Sequence, residues 1–340
     1  MSAVLHIQAN GAYGGQLPVA EKNAVSSGQR GTVAGWSHEA ARRNERWLRS
    51  VHVSTFFGKT GLAVTLTTGE ALDAKGWREA RGRLLRTVKR CAGVRAYYWL
   101  TEFQDRGAPH LHLFLVVAGD VAAVGSLIVR TWLRLVERTG ALHRGQSVQV
   151  LDDGGVAWLI YLGRHGARAV EHYQRARSDW KGGRMWGYGG QWVLNSEPVI
   201  LCNRQWFAFR RLVLGYLRRQ VRADLVKVGQ IVARGGRWKA RNRKRLDRLR
   251  LVRKRIDGAL RSSDRWRSEK RGVSVWCDER VASLCLVAAR DPSVCGGCER
   301  LRFGRCEPGS ACSVVWRGIQ SAGRSRVFGS EIVSHGGTGA

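Results

Sequence analysis

The sequence predicts an α+β fold, in which an antiparallel sheet is flanked by helices and followed by a basic helical region and a small Cys-rich segment. Two observations support the sheet. Strand and helix patterns alternate in the order β-α-β-β-α-β-α, and the two strongest strand patterns are separated by only a short turn, which favours an antiparallel hairpin. A third observation, a change to Arg- and Lys-rich helical sequence after residue 205, predicts the region that follows.

The first elements follow from residue patterns. Residues 1–35 are Gly-rich and polar without a clear period, so we expect a flexible leader. Ser37 is a suitable N-cap for the short helix SHEAARRNERWL. The segment GLAVTLTT alternates as a strand does, so its two faces differ. One face carries Leu62, Val64 and Leu66, and the other carries Thr65 and Thr67.

The next elements are predicted in the same way. Lys75 to Arg90 is an amphipathic helix pattern. The strands VRAYYWLTE, which ends at Glu102, and HLHLFLVV, which begins at His110, are joined by FQDRGAP. Its Gly and Pro indicate a turn, and therefore a hairpin. A helix from 120 to about 139, the strand SVQVL and a helix from 155 to about 176 complete the order.

The sequence indicates four segments. After the leader, we expect an α+β domain at 36–200, a basic helical region at 201–272 and a Cys-rich tail at 273–340. The basic region includes RWKARNRKRLDRLRLVRKR, which predicts one or two helices that contact DNA or form a solvated charged face.

The charge balance restricts the partners. The chain has 58 Lys and Arg against 26 Asp and Glu, a formal net charge of +32. So large an excess repels itself unless it meets a polyanion, and nucleic acid is the commonest one, with a membrane surface as the alternative. No apolar stretch of about 18 residues exists to span a bilayer. The N-terminus lacks the pattern of a signal peptide, so we expect a cytoplasmic protein without a membrane partner.

Four of the eight cysteines lie close together in CGGCERLRFGRCEPGSAC. The spacing is C-x₂-C, seven residues, then C-x₅-C, and four such thiolates suit a tetrahedral structural zinc. Free thiols or another metal remain the alternatives. The candidate ligands are Cys295, Cys298, Cys306 and Cys312.

A second candidate metal site lies on the predicted hairpin. His110 and His112 are two residues apart on one strand, so both imidazoles leave the same face while the neighbouring leucines leave the other. Glu102 ends the partner strand, where its carboxylate is placed to join them. Two imidazoles and one carboxylate suit Mg²⁺ or Mn²⁺, and other first-row metals are possible.

A basic stripe follows on the last predicted helix, AWLIYLGRHGARAVEHYQRARSDW. One face is apolar, with Val156, Leu159, Ile160, Gly163, Ala167 and Val170. A second face, at i, i+3, i+4, i+7 and i+11, combines a phenol with cationic and imidazole side chains, an arrangement suited to a DNA strand. It contains Tyr161, Arg164, His165, Arg168 and His172, and Arg175 is a further candidate DNA contact.

In the stretch EFQDRGAPHLHLFL the chain resembles the HUH replication initiators, especially those of filamentous bacteriophages and rolling-circle plasmids. LAVTLTT and GRMWGYGGQW are similar to segments that precede and follow that motif, so the resemblance covers residues 36 to 195. It implies an HUH endonuclease-type fold and a metal held by Glu102, His110 and His112. It also implies a tyrosine nucleophile, which Tyr161 matches, with Tyr173 as the alternative.

The resemblance implies an activity and its partners. A metal-dependent nickase and strand transferase would cut single-stranded or supercoiled origin DNA in a bacterial cytoplasm through a 5′-phosphotyrosine, to start rolling-circle replication of a phage or plasmid. Arg164 stands where the family usually has a lysine, and His165 where two-tyrosine members have their second tyrosine, which implies a single-tyrosine enzyme. GKT at 58–60 lacks the first glycine of a P-loop, since Val53 is there, so a host helicase and polymerase are expected partners.

Other functions fit parts of the same pattern. A relaxase or a single-tyrosine transposase uses the same chemistry, although relaxases tend to carry three histidines where this chain has two and a glutamate. A non-enzymatic basic DNA-binding protein with a structural metal is the alternative from another class. Tyr161→Phe separates the two classes. An enzyme should lose DNA cleavage and keep DNA binding, whereas a non-enzymatic binding protein should be unchanged.

Overall fold

A computed structural model describes residues 2–16, 36–151, 155–166, 180–235, 239–261 and 272–290. The chain divides into two compact units. The central unit covers residues 24–194, and the split unit combines residues 1–23 with residues 195–340. In the ranges given above, no helix combines the length and the apolar character that a membrane span requires.

The helices and strands are numbered along the chain. The split unit contributes β1 (Ser2–Gln8) and β2 (Gly11–Gln16). The central unit follows with α1 (His38–Ser50), β3 (Thr60–Thr67), α2 (Ala74–Arg90), β4 (Val94–Phe103), β5 (Pro109–Val117), α3 (Val121–Leu135), β6 (Ser147–Leu151), α4 (Val156–Gly166) and β7 (Trp186–Gly190). The split unit resumes with β8 (Ser196–Cys202), α5 (Asn203–Arg234), α6 (Lys239–Arg261), β9 (Val273–Trp276) and α7 (Glu279–Arg290).

The central unit is built on a five-stranded antiparallel sheet in the order β6-β3-β5-β4-β7. The predicted α+β class and the β4–β5 hairpin are confirmed. Three helices begin where a side chain accepts a hydrogen bond from the first turn, at Ser37, Asp73 and Asp120. Such caps satisfy backbone N–H groups that have no partner within the helix.

The two faces of this sheet differ as the alternation predicts. The leucines of β3 and β5 lie on one face and pack with α2 and α3 into a core that includes Trp77 and Trp132. The other face carries Thr65, Thr67 and the two histidines of β5. Residues of α1 and of α4 contact this second face, which is therefore the side on which a site can form.

Strand β7 was not predicted, and its sequence WGYGG explains why, since glycine has low strand propensity. Its aromatic residues lie on the site face, where the Tyr188 ring stacks on Trp47 at 4.2 Å between centroids. On the opposite face a Cβ at Gly187 would lie 2.8 Å from Trp99 Nε1, and one at Gly189 would lie 2.4 Å from Tyr97 Oη. The glycines therefore make room for the large residues of β4.

The split unit contains a four-stranded antiparallel sheet in the order β8-β1-β2-β9, packed with α5, α6 and α7. The sequence predicts a flexible leader at 1–35, whereas residues 2–16 form β1 and β2. Ala3, Leu5 and Ile7 alternate into the core, and a two-residue turn joins Gln8 to Gly11. The predicted basic helices are present as α5 and α6. Strand β8 belongs to this unit, so the division falls at 194/195.

Candidate metal centre and tyrosine helix

The β4–β5 hairpin brings together the three predicted metal ligands. Glu102 lies directly opposite His110 in the antiparallel register, and His112 follows two residues later on the same face. All three side chains are buried, with 2%, 8% and 5% of their surface exposed for Glu102, His110 and His112. Their candidate ligand atoms all lie within 4.8 Å of one another.

The distances within this group fit one cation. The two Nε2 atoms are 2.9 Å apart, and Glu102 Oε2 lies 3.7 Å from His110 Nε2 and 3.4 Å from His112 Nε2. Two neighbouring ligands of an octahedral cation, each about 2.1 Å from it, lie about 3 Å apart. One carboxylate and two imidazoles leave positions for water or phosphate oxygens. The donor set therefore suits a divalent cation.

Thr65 orients one of the imidazoles. Its Oγ1 lies 3.1 Å from Nδ1 of His112, on the neighbouring strand β5. When Nδ1–H donates to this hydroxyl, the lone pair on Nε2 faces Glu102 and His110, which is the tautomer that binds a cation. The sequence predicted Thr65 on this face but gave it no role.

Tyr98 lies on the same face, two positions before Leu100 and four before Glu102, but its phenol is not a nucleophile. It is completely buried and donates a hydrogen bond of 2.7 Å to Asn44 Oδ1 on α1. Burial raises the pKa of Tyr98 well above its usual value, and the Glu102 carboxylate raises it further, against an opposite effect of the Asn44 hydrogen bond. The phenol stays protonated and supports α1 on the sheet.

Helix α4 carries the predicted tyrosine beside this site. Leu159, Ile160 and Leu162 are buried, whereas Tyr161 is 41% exposed. The Trp158 ring contacts both Tyr161 and the candidate metal ligand His112. It stacks on the Tyr161 ring with 4.8 Å between centroids and meets the His112 ring edge-on at 6.3 Å. Trp158 precedes Tyr161 by one helical turn. This spacing is visible in the sequence, but we did not predict a role for Trp158.

The remaining predicted residues have different outcomes. Arg164 and His165 lie in α4, but their side chains are outside the described part of the structure. The other predicted nucleophile, DNA contacts and zinc ligands also lie outside the described residues. These are Arg168, His172, Tyr173, Arg175, Cys295, Cys298, Cys306 and Cys312.

The fold and the buried Glu-His-His group define the class. An antiparallel sheet flanked by helices, with the group on its central hairpin, is the architecture expected of an HUH-type replication initiator. The family model for the replication-associated protein ORF2 matches residues 61–193, which include the hairpin, α4 and β7. A relative that is 34% identical and covers 86% of this chain and 98% of its own length, together with this match, shows that the chain belongs to the ORF2 family of replication-associated proteins.

Three curated proteins are similar to the chain. A putative replication protein of Xylella fastidiosa strain 9a5c is 34% identical over 307 residues, covering 86% of this chain and 98% of that protein. Another from Xylella fastidiosa strain Temecula1 is 37% identical over 224 residues, covering 62% and 83%. The replication-associated protein of Pseudomonas phage Pf3 is 34% identical over 195 residues, covering 55% and 69%. No solved structure matches the chain.

Proposed function

We propose that this replication protein is an origin nickase, which starts rolling-circle replication by joining a DNA 5′ end to Tyr161. One observation carries the proposal. The exposed Tyr161 ring and the buried His112 ring both contact Trp158. A single side chain therefore connects a candidate nucleophile with a candidate metal ligand. A phosphodiester that reaches both groups would be positioned for attack.

The roles divide between the two groups. Glu102, His110 and His112 would hold Mg²⁺ or Mn²⁺, which when bound supplies positive charge that stabilises the phosphoryl transition state. Thr65 orients the His112 imidazole toward the cation position. A free phenol has a pKa of about 10, so Tyr161 needs a cationic neighbour to attack at neutral pH, and Arg164 and His165 follow it at i+3 and i+4.

The reaction exchanges one phosphodiester for another. Tyr161 Oη attacks the phosphorus, the new O–P bond forms and the P–O3′ bond breaks. The phenol proton passes to solvent, and the 3′ oxygen takes up a proton. The products are a 5′-phosphotyrosine and a 3′-hydroxyl, which a host polymerase can extend after a host helicase unwinds the duplex. Since the ester energy is retained, attack by a 3′-hydroxyl on the phosphotyrosine rejoins the ends.

Covalent adduct formation tests the proposal. The full-length chain is incubated with Mn²⁺ and labelled single-stranded oligonucleotides that tile the replicon encoding it, and adducts are resolved on a denaturing gel. We expect an adduct with one oligonucleotide that is lost in Tyr161→Phe and in His110→Ala, while both variants still bind that DNA by fluorescence anisotropy.

Matched tyrosine variants make the assignment specific. Tyr188 is exposed on the same sheet face, so Tyr188→Phe removes an equivalent hydroxyl and should leave the adduct intact. If the adduct survives Tyr161→Phe but is lost in Tyr173→Phe, the nucleophile is Tyr173. If the wild-type chain binds every oligonucleotide and never forms an adduct, it is a non-enzymatic DNA-binding protein and the proposal is wrong.

A further inference from the structure

Helix α6 of the split unit is packed along one stripe of its second half. Val252 and Ile256 are buried in the core of this unit, and Leu249, Ala259 and Leu260 pack partly against it. The ion pair between Arg218 on α5 and Asp257 on α6, at 2.7 Å, fixes the two helices to each other. At 1.5 Å per residue the 23 residues of α6 extend over about 35 Å. The core therefore holds the second half of α6, and the first turns extend from it as the same continuous helix.

One arc of α6 is rich in cations. With 3.6 residues per turn, positions i, i+3, i+4, i+7 and i+14 fall within an arc of about 100°. In the second half of the helix two packed residues, Val252 and Ala259, fall within this arc, whereas the turns before Leu249 contribute no residue to the core. The cations of the arc are called the α6 row, and each of their side chains is exposed. The row comprises Arg241, Lys244, Arg245, Arg248 and Arg255.

The carboxylates of α6 lie outside this row. Asp247 pairs with Arg250 at 3.1 Å, and Asp257 pairs with Arg253 at 3.6 Å in addition to Arg218. By helical periodicity both aspartates project about 110° or more from the centre of the arc. The arc therefore contains no carboxylate of α6 itself, and its charged residues are all cations.

This separation disfavours the isolated helix. Like charges at i,i+3 and i,i+4 destabilise a helix, and Arg241, Lys244, Arg245 and Arg248 are neighbours at these spacings. Repulsion along the row opposes helix formation, but the same arrangement matches a polyanion that follows the helix axis. We propose that the α6 row binds the phosphate backbone of duplex DNA, independently of base sequence.

Two features favour duplex over single-stranded DNA. Surfaces that bind single strands combine cations with aromatic side chains on which bases stack, and α6 has no Phe, Trp or Tyr. The α6 row is also straight: four of its cations lie within about 10 Å, from Arg241 to Arg248, and Arg255 follows beyond the buried Val252, about 21 Å from Arg241. Over the whole length a B-form duplex presents about twelve phosphates. A straight helix with cations along one edge therefore matches duplex DNA, which is stiff over this length, better than a flexible single strand.

Salt-dependent binding tests the α6 row in the full-length chain. The affinities for a labelled duplex of random sequence and for a labelled oligo-dT strand are measured by fluorescence anisotropy over a series of NaCl concentrations. The row variant replaces the five cations with Gln. For duplex DNA, each lost phosphate contact reduces the log-log salt slope by about 0.9, so we expect a reduction of about 3 to 5.

The control variant removes the same charge from another helix. Six cations of α2 are exposed on the sheet face opposite the candidate site, and replacement of five of them with Gln should leave the duplex slope near that of the wild type. The five are Lys75, Arg83, Arg86, Lys89 and Arg90. Circular dichroism establishes that both variants are folded.

Each result bears on the proposal. A duplex slope reduced in the row variant alone supports it. Equal losses in the two variants, an unchanged row variant, or an oligo-dT affinity that falls as much as the duplex affinity would each overturn it. Adduct formation on a single-stranded oligonucleotide should persist in the row variant. The proposal for the α6 row and the proposal that Tyr161 is the nucleophile are therefore tested independently.

Discussion

At the scale of single residues, strand alternation determines which side chains share a face. His110 and His112 are two apart, and the hairpin register places Glu102 opposite the first of them. The sequence therefore identified the group that the structure brings together. It did not reveal the contact between Trp158 and His112, because that contact depends on how α4 packs on the sheet rather than on any local period.

Thr65→Val tests the hydroxyl that orients His112. The substitution conserves shape and removes the 3.1 Å contact to Nδ1, so the imidazole loses the partner that fixes its tautomer. Groups of this kind contribute about 10- to 100-fold to metal affinity or activity. We expect Mn²⁺ affinity, measured by isothermal titration calorimetry, to fall within that range.

Thr67→Val is the matched control. Thr67 lies on the same face of β3, but its hydroxyl bonds to the carbonyl oxygen of Gly145. Its replacement should change Mn²⁺ affinity less than that of Thr65. Equal affinities for Mn²⁺ in the wild type and in Thr65→Val would show that the hydroxyl has no part in orienting the ligand.

At the scale of elements, prediction succeeded where apolar periodicity was strong. The strands β3, β4, β5 and β6 and the helices α1, α2 and α3 lie within a few residues of their predicted bounds. Strand β7 was missed because glycine, which weakens the strand signal, is there required by the rings of Trp99 and Tyr97. Steric demands from a neighbouring strand do not appear in the local pattern.

The start of α4 depends on Gly155, which precedes the helix with φ +85°. A Cβ at this position would lie 2.3 Å from Cζ of the buried Phe114. Gly155→Ala should therefore displace the first turn of α4 and move Trp158 and Tyr161 from the metal centre. Misplacement by about 1 Å costs about 10²-fold in rate. We expect adduct formation to slow by about that factor, measured in single turnovers, while Mn²⁺ affinity is retained.

Gly58→Ala separates steric displacement from backbone strain. Gly58 also has positive φ, at +66°, but a Cβ there meets nothing within 4 Å. It should lower stability by about 1–2 kcal/mol, the cost of the left-handed conformation, without slowing adduct formation. Similar rates in Gly155→Ala and the wild type would mean that α4 does not have to sit against Phe114.

At the scale of the whole molecule, the split unit shows what periodicity cannot predict. Strand β1 pairs along its full length with β8, from Ser2 opposite Cys202 to Gln8 opposite Ser196. Nothing in residues 2–8 indicates a partner that follows the entire central unit in the chain. The prediction of a flexible leader was wrong for residues 2–16, because the many glycines and polar residues of this segment hide the short apolar alternation of Ala3, Leu5 and Ile7.

The net charge is a property of the whole chain. It should lower the stability of the folded state as well as favour the binding of DNA. A net charge of +32 repels itself most in the compact state, and salt screens this repulsion, with a Debye length of about 10 Å at 0.1 M. We expect the thermal unfolding midpoint to rise with NaCl concentration, by about 2–4 °C for each kcal/mol gained. Differential scanning calorimetry measures the change.

The variant that lacks the α6 row isolates the electrostatic part of this effect. Since five like charges are removed from one helix, its midpoint should begin higher at low salt and rise less steeply than that of the wild type. Duplex DNA should stabilise the wild type beyond the effect of equal ionic strength, because a ligand bound only by the folded state shifts unfolding by mass action. Parallel salt profiles for the two proteins would mean that repulsion along α6 is not what salt relieves, and that the charge is balanced elsewhere in the fold.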